Sequence, residues 1–169
     1  KYKINYKNIS LKKKFLNSTS KRYIEEFLNS EIKNPSDLIE VHNRPIYLNF
    51  IINKLINRTY ILYFHNDPLT MSGSKTISER IFLMKNCFKI IFNSNWSKKR
   101  FLQDMKSDFI NSEKLVVINQ SAKKNLINLN KKKKIITFVG KLNKSKGYDL
   151  FGQSIIKILD KHKDWSGIV

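Results

Sequence analysis

Residues 37–68 read DLIEVHNRPIYLNFIINKLINRTYILYFHNDP, and their pattern decides the fold. The first six form a short run rich in branched apolar side chains that ends on His42, the signature of a buried strand. "NRP" follows, with Pro45 suited to the first turn of a helix, and Ile46, Phe50, Ile51 and Leu55 then form a helical apolar stripe. "TYILYF" at 59–64 is a second strand, and again a histidine and a polar turn come straight after it. Strand, helix, strand in this order is the unit of a parallel sheet, whose neighbouring strands need a crossover between them.

The alternation continues in both directions. Upstream, "STSKRYIEEFLNSEI" sets Tyr23, Ile24, Phe27 and Leu28 on one helical face, with Ser18 or Ser20 as the cap, and "NPS" ends the helix. Residues 1–14 are basic and weakly patterned and read as loop with room for a short strand. Downstream come a helix over 76–88, a strand over 89–92, a helix opening at Ser94 or Asn95, and a strand over 114–118. Trp96 reads as a packing anchor beside Phe101 and Leu102. "NQSAKKNLINLNKKKK" has no period and reads as a linker. "IITFVG" is then a strand, "KLNKSKG" a loop, and "YDLFGQSIIKILDKH" a helix with Leu150, Phe151, Ile155, Ile158 and Leu159 on one side; "SGIV" starts a further strand. The predicted class is α/β, a Rossmann-like parallel sheet with flanking helices. Ligands of such sheets bind outside the carboxyl ends of the strands, so the loops after strands are where chemistry is sought.

Composition narrows the partners. The 169 residues carry 33 Lys and Arg against 13 Asp and Glu, a formal net charge of +20. The 41% hydrophobic content supplies a core, so this is no disordered polycation. Anionic partners fit the charge, namely phosphates, nucleic acid or an acidic membrane face, although a bias toward Lys, Asn and Ile codons gives the same surplus. Cys87 is the one cysteine, which excludes an internal disulfide and a thiolate metal cluster and suits a reducing compartment. No apolar run reaches the roughly 20 residues of a membrane-spanning helix. The chain opens on Lys1 and closes on what reads as a strand start, so we expect a piece cut at both ends.

Two kinds of loop offer chemistry. In "FVGKLNKSKG", 138–147, Gly140 ends a strand and Gly147 precedes a helix, while Lys141, Lys144 and Lys146 bring charge to the same turn. Glycines let backbone N–H groups approach an anion, and a helix start favours one. A lysine run in so basic a chain also reads as a solvated turn; its place between strand and helix favours phosphate. It is not a P-loop, because Tyr148 stands where that motif continues with lysine. The second kind is "VHNRP" and "FHNDP". His42 with Asn43 and Arg44, and His65 with Asn66 and Asp67, stand at successive strand ends, so adjacent strands would bring both imidazoles to one rim. A histidine there is otherwise one satisfied by backbone carbonyls. No spacing of metal-ligand type and no nucleophile elbow is present.

Together "HNRP", "FHNDPLTMSGSKT", "IIFNSNWSKKRF", "LVVINQSA" and "FVGKLNKSKGYDLF" resemble the family 4 glycosyltransferases of bacteria. That resemblance implies the GT-B fold, two Rossmann-like domains facing each other across a cleft. It implies residues 1–120 as the rear of an acceptor-binding domain, 121–133 as interdomain linker, and 134–169 as the opening of a nucleotide-sugar donor domain. The family's G-R-L-x-x-x-K-G-x-D-x-L frame is met by Gly140, Leu142, Lys146, Gly147 and Asp149, with Phe151 in the last place and Lys141 where arginine is usual; Lys141 keeps the charge without the planar fork. By resemblance Gly140, Lys141, Lys146 and Gly147 bind the donor diphosphate, and His65 is the catalytic-site histidine facing the reacting sugar. His42, Asn43, Arg44, Asn66, Asp67, Ser94 and Asn119 line the acceptor side or the cleft. Gln120 stands in a glycine place of the family pattern and Ala122 in an acidic one.

The implied activity is retaining, metal-independent transfer from a nucleotide sugar, taken as co-substrate with no cofactor, to a glycan or lipid-linked acceptor. The implied setting is the cytoplasm, with peripheral contact to an anionic membrane and no nucleic-acid partner. The resemblance also puts a glycine-rich loop upstream of Lys1 and a Glu-x7-Glu segment beyond Val169, so these residues alone are expected to be inactive. A non-catalytic nucleotide-sugar-binding relative and a basic nucleic-acid-binding module are the competing readings.

Overall fold

The computed structural model describes residues 19–123 and 132–169. The expected loop at 1–14, Ser18 as a cap and residues 124–131 of the expected linker lie outside the described residues. The chain divides into two compact units, Lys1–Ser121 and Ala122–Val169.

In the first unit α1 (Thr19–Lys33), β1 (Leu38–His42), α2 (Pro45–Ile51), β2 (Thr59–Phe64), α3 (Ile77–Asn86), β3 (Lys89–Phe92), α4 (Asn95–Leu102) and β4 (Leu115–Val117) follow in order. The four strands lie in the order β1-β2-β3-β4, all parallel. His42 is level with Tyr63, Phe64 with Phe92, and Phe92 with Val117. Every carboxyl end therefore opens on one rim, and the α/β class with a parallel sheet and flanking helices is what the chain adopts.

One face of the sheet carries the core. Ile39, Val41, Tyr60, Leu62, Phe64, Ile90, Phe92 and Leu115 pack against Leu48 and Ile51 of α2, Leu83 and Met84 of α3, and Phe101 of α4. Phe64, Phe92 and Phe101 form its aromatic centre, with ring centroids 5.3–5.6 Å apart. Fully burying each such ring stabilises the fold by roughly 1.5–3 kcal/mol. The alternate strand side chains turn to the opposite face, where Leu38, Glu40 and His42 are exposed and Ile91 is buried.

Several elements depart from their expected form for reasons of geometry. The α2 stripe is Pro45, Leu48 and Ile51, with Leu55 buried in the turn beyond, while Phe50 is 56% exposed. Residues three and seven apart share a helical face, and Phe50 stands one residue, about 100°, away from Ile51. Trp96 is 58% exposed rather than an anchor, because Ser97 and Phe101, four apart, take the inward face of α4; the Arg100 guanidinium lies over its ring at 5.8 Å. Ser20 sits inside the first turn of α1 rather than before it, its hydroxyl 3.5 Å from that of Tyr47.

The loop from β2 to α3 is fastened to α2. Ile46 donates its N–H to the Ser72 carbonyl at 3.1 Å, and Gly73, at φ 93°, lies so close that a Cβ there would meet the Ile46 nitrogen at 2.4 Å. Only glycine permits both that φ and that approach. Arg80, 3% exposed, donates to the carbonyls of Phe101, Gln103 and Thr76 and so ties α3 to the end of α4. A buried guanidinium survives there because its donors are spent on main-chain oxygens.

In the second unit β5 (Ile135–Thr137) and β6 (Ser166–Ile168) are parallel, joined through α5 (Tyr148–Lys161). Phe151, Ile155 and Leu159, spaced by four, form the half-buried side of α5, whereas Leu150 is 65% exposed and Ile158 is turned outward. Phe138 fits between Tyr148 and Phe151, at 5.7 and 5.4 Å between centroids. Among the described residues no helix is long and apolar enough to cross a membrane.

Candidate functional site

The rim of the first unit gathers polar side chains from all four strand ends. β1 ends on His42, and Asn43 after it takes φ 53°, a conformation asparagine tolerates better than most residues. This turn aims the Asn43 amide at the next strand, where its Oδ1 accepts the His65 N–H at 2.8 Å. From the other side Asn93, just past β3, donates its amide to the His65 carbonyl at 2.9 Å. The His65 backbone is thereby clamped on both flanks.

The imidazoles meet directly. His42 Nδ1 and His65 Nε2 are 2.9 Å apart with rings nearly parallel, at 7°. His42 also stacks on Tyr63, its level partner on β2, at 4.4 Å and 4°. The other His65 nitrogen, Nδ1, lies 2.8 Å from the Gln120 amide nitrogen, delivered by the segment after β4. Both ring nitrogens of His65 are thus engaged by protein. On the far side of His42, Nε2 is 3.8 Å from Glu40 Oε2, and Glu40 Oε1 accepts the Tyr63 hydroxyl at 3.3 Å. Burial and the Glu40 carboxylate raise the Tyr63 pKa above its ordinary value.

A cavity of about 650 Å3 opens beside this rim, lined by Tyr23 of α1, Tyr47 of α2, and Glu40, His42, Asn43 and Arg44 around β1; Asn66 also borders it. Arg44 precedes α2 and donates to its neighbour's carbonyl, Asn43 O, at 2.9 Å. A smaller cavity of about 120 Å3 lies between His65, Asn93, Asn119 and Gln120.

Two expected site residues are occupied with structure. Asp67 accepts the Leu69 N–H at 3.0 Å and pairs with Arg100 at 3.1 Å, which holds the loop after β2 against α4. Ser94 caps α4, its hydroxyl accepting the Ser97 N–H at 3.2 Å. Asn66 and Asn119 are exposed at the rim. Gln120, Asn93, Glu40 and Tyr63 belong to the site without having been singled out as its members. Glu40 had a signal, since it shares with His42 the period-2 face of β1. Gln120 had none, because only the closing of four strands brings position 120 to position 65.

In the second unit the 140–147 loop joins the end of β5 to α5. Lys144–Lys146 forms a 3-10 turn, and Gly147 follows at φ 73°, where nothing lies within 4 Å of an added Cβ. A Cβ on Gly140 would be 3.4 Å from the Phe138 ring. Lys141, Lys144 and Lys146 are exposed, and among the described residues none has an ion-pair partner. Gly140, Lys141, Lys146 and Gly147 therefore share one short solvent-facing loop.

Comparison with family models, curated proteins and solved structures returned no match. The 140–147 loop offers unpaired cations beside glycine backbone, which suits phosphate oxygens. The rim offers imidazole, amide and phenol hydrogen-bonding groups with aromatic walls, and Glu40 and Arg44 line the same cavity; this mixture of donors and acceptors suits a hydroxylated ligand. Among the described residues no group of three or more His, Cys, Asp or Glu side chains is placed to hold a metal ion.

Proposed function

We propose that this protein is a GT-B-type glycosyltransferase that moves a sugar from a nucleotide-sugar donor to a glycan or lipid-linked acceptor, with retention and without a metal. The observation that carries the reading is the 140–147 loop, where three exposed lysines without carboxylate partners stand between a parallel strand and a helix that begins at a left-handed glycine. Such a loop favours a diphosphate. Lys141 and Lys146 neutralise the charge that develops on the departing nucleoside diphosphate, the electrostatic work that a metal performs in other transferases.

The histidine rim supports the same reading independently. A sugar needs several short-range donors and acceptors and an aromatic wall, and His42, Asn43, Asn66 and the Tyr23–Tyr47 pair, 6.0 Å between centroids, supply them around one cavity. The resemblance assigns His65 to this end of the reaction.

Isothermal titration with uridine, guanosine and adenosine diphosphates is the test. One of them is expected to bind saturably, and Lys146→Ala to weaken it roughly tenfold, the worth of one charge-assisted hydrogen bond. Equal affinity in the variant removes the loop from the site, and no binding of any of the three removes the transferase reading.

A further inference from the structure

The geometry points to His42 as the imidazole that meets the ligand, to His65 and Gln120 as the residues that fix its proton, and to a neutral sugar hydroxyl as the group it takes. The Gln120 amide nitrogen can only donate, so His65 Nδ1, 2.8 Å away, is the acceptor and the His65 proton sits on Nε2. That N–H points at His42 Nδ1, 2.9 Å away, which must accept it. The remaining proton of neutral His42 is therefore on Nε2, the one nitrogen of the pair without a protein partner at hydrogen-bond distance. Two residues remote in sequence thus determine which tautomer the cavity meets.

What the cavity offers follows from the same atoms. His42 Nε2–H is a donor, Glu40 Oε2 is an acceptor, and they are 3.8 Å apart. That is too long for a direct hydrogen bond and short enough for one oxygen to bridge. A hydroxyl fits, accepting from Nε2–H while donating to the carboxylate. A carboxylate does not fit between these two atoms, because it carries no proton for Glu40 and meets a like charge at Glu40 Oε2. The His42 side chain is 50% exposed and so reachable, while its stacking on Tyr63 fixes the ring plane. Tyr23 and Tyr47 stand across the same cavity as apolar walls for a sugar ring. The choice of sugar, among hydroxylated ligands, rests on the proposed transferase function; the tautomer assignment does not.

The test is imidazole nitrogen NMR on the isotopically labelled chain, whose 3 histidines are few enough to assign by single substitutions. His42 and His65 are each expected as the Nε2–H form. His65→Phe keeps a ring in the stack but donates nothing, and Gln120→Leu alters only an exposed side chain; each is expected to return His42 to a mixture of tautomers, so a folding defect in one leaves the other informative. Methyl glucoside, mannoside and galactoside are then titrated. At least one is expected to shift the His42 resonances saturably, with affinity falling roughly tenfold in Glu40→Leu. A His42 proton on Nδ1, a tautomer mixture in the unsubstituted chain, or glycosides that shift His65 alone or neither ring overturns the inference. The outcomes separate from those for the transferase: a chain that ignores nucleoside diphosphates yet shows His42 responding to a glycoside keeps this inference and loses that reading, and the reverse pattern does the opposite.

Discussion

Burial pushes the Cys87 thiol up to about 12, with the Lys114 ammonium opposing the shift, and the side chain is 1% exposed. Thiolate is the reactive form, so the native chain is expected to resist iodoacetamide at pH 8 and to become alkylated only as it unfolds. Rapid labelling of the folded chain, followed by mass spectrometry, would contradict that placement. At this scale the sequence was legible where a residue's own type decided its role. His42 and His65 stood out because imidazoles at strand ends are uncommon and useful. Arg80 did not, since an arginine in an amphipathic helix reads as surface until the carbonyls of Phe101 and Gln103 close over it. Gln120 gave no signal of its place in the site, and Trp96, expected as a packing anchor beside Phe101 and Leu102, is put outside by its helical phase.

The start of α3 shows what a single element contributes. Thr76 accepts the Glu79 N–H at 3.2 Å while Glu79 accepts the Thr76 N–H at 2.9 Å, a reciprocal cap. The hydrogen bond from the Thr76 backbone, ahead of the opposing desolvation, lowers the Glu79 pKa from its ordinary 4.5. A carboxyl held lower in the folded state than in the unfolded one adds stability that is present above the unfolded value and lost as pH falls through the folded value. Urea melts are therefore expected to show Glu79→Ala less stable than the parent by about 0.5–1 kcal/mol at pH 7. The gap should narrow as the pH falls from 4.5 through the lower folded value, and a gap that stays constant into acid would show that the carboxylate is not the stabilising form. Strands and helices were legible because alternation and turn residues repeat locally. Their inward faces were less so: the phase of α2 was set by Leu48 and Ile51 meeting the sheet, a tertiary choice that left Phe50 outside.

For the whole molecule, net charge is a poorer guide than the places of individual cations. Lys114 Nζ donates to the Met84 carbonyl at 2.8 Å, Lys98 Nζ to Leu115 O at 2.9 Å, and Lys89 Nζ to Glu113 O at 2.9 Å. These three lysines finish helix and strand ends, so part of the +20 charge is spent on main-chain oxygens. Among the described residues Lys141, Lys144 and Lys146 have no ion-pair partner. The parallel architecture was legible in the sequence because each strand announces its end with a polar loop, while the joining of His42, His65 and Gln120 required the sheet to be assembled. Amide NMR of the chain during titration with a nucleoside diphosphate reads the 140–147 loop residue by residue. Saturable shifts are expected, concentrated at Gly140, Lys141, Lys146, Gly147 and Tyr148; shifts spread over the other lysines, or none at that loop at saturation, would contradict the loop's assignment to the diphosphate.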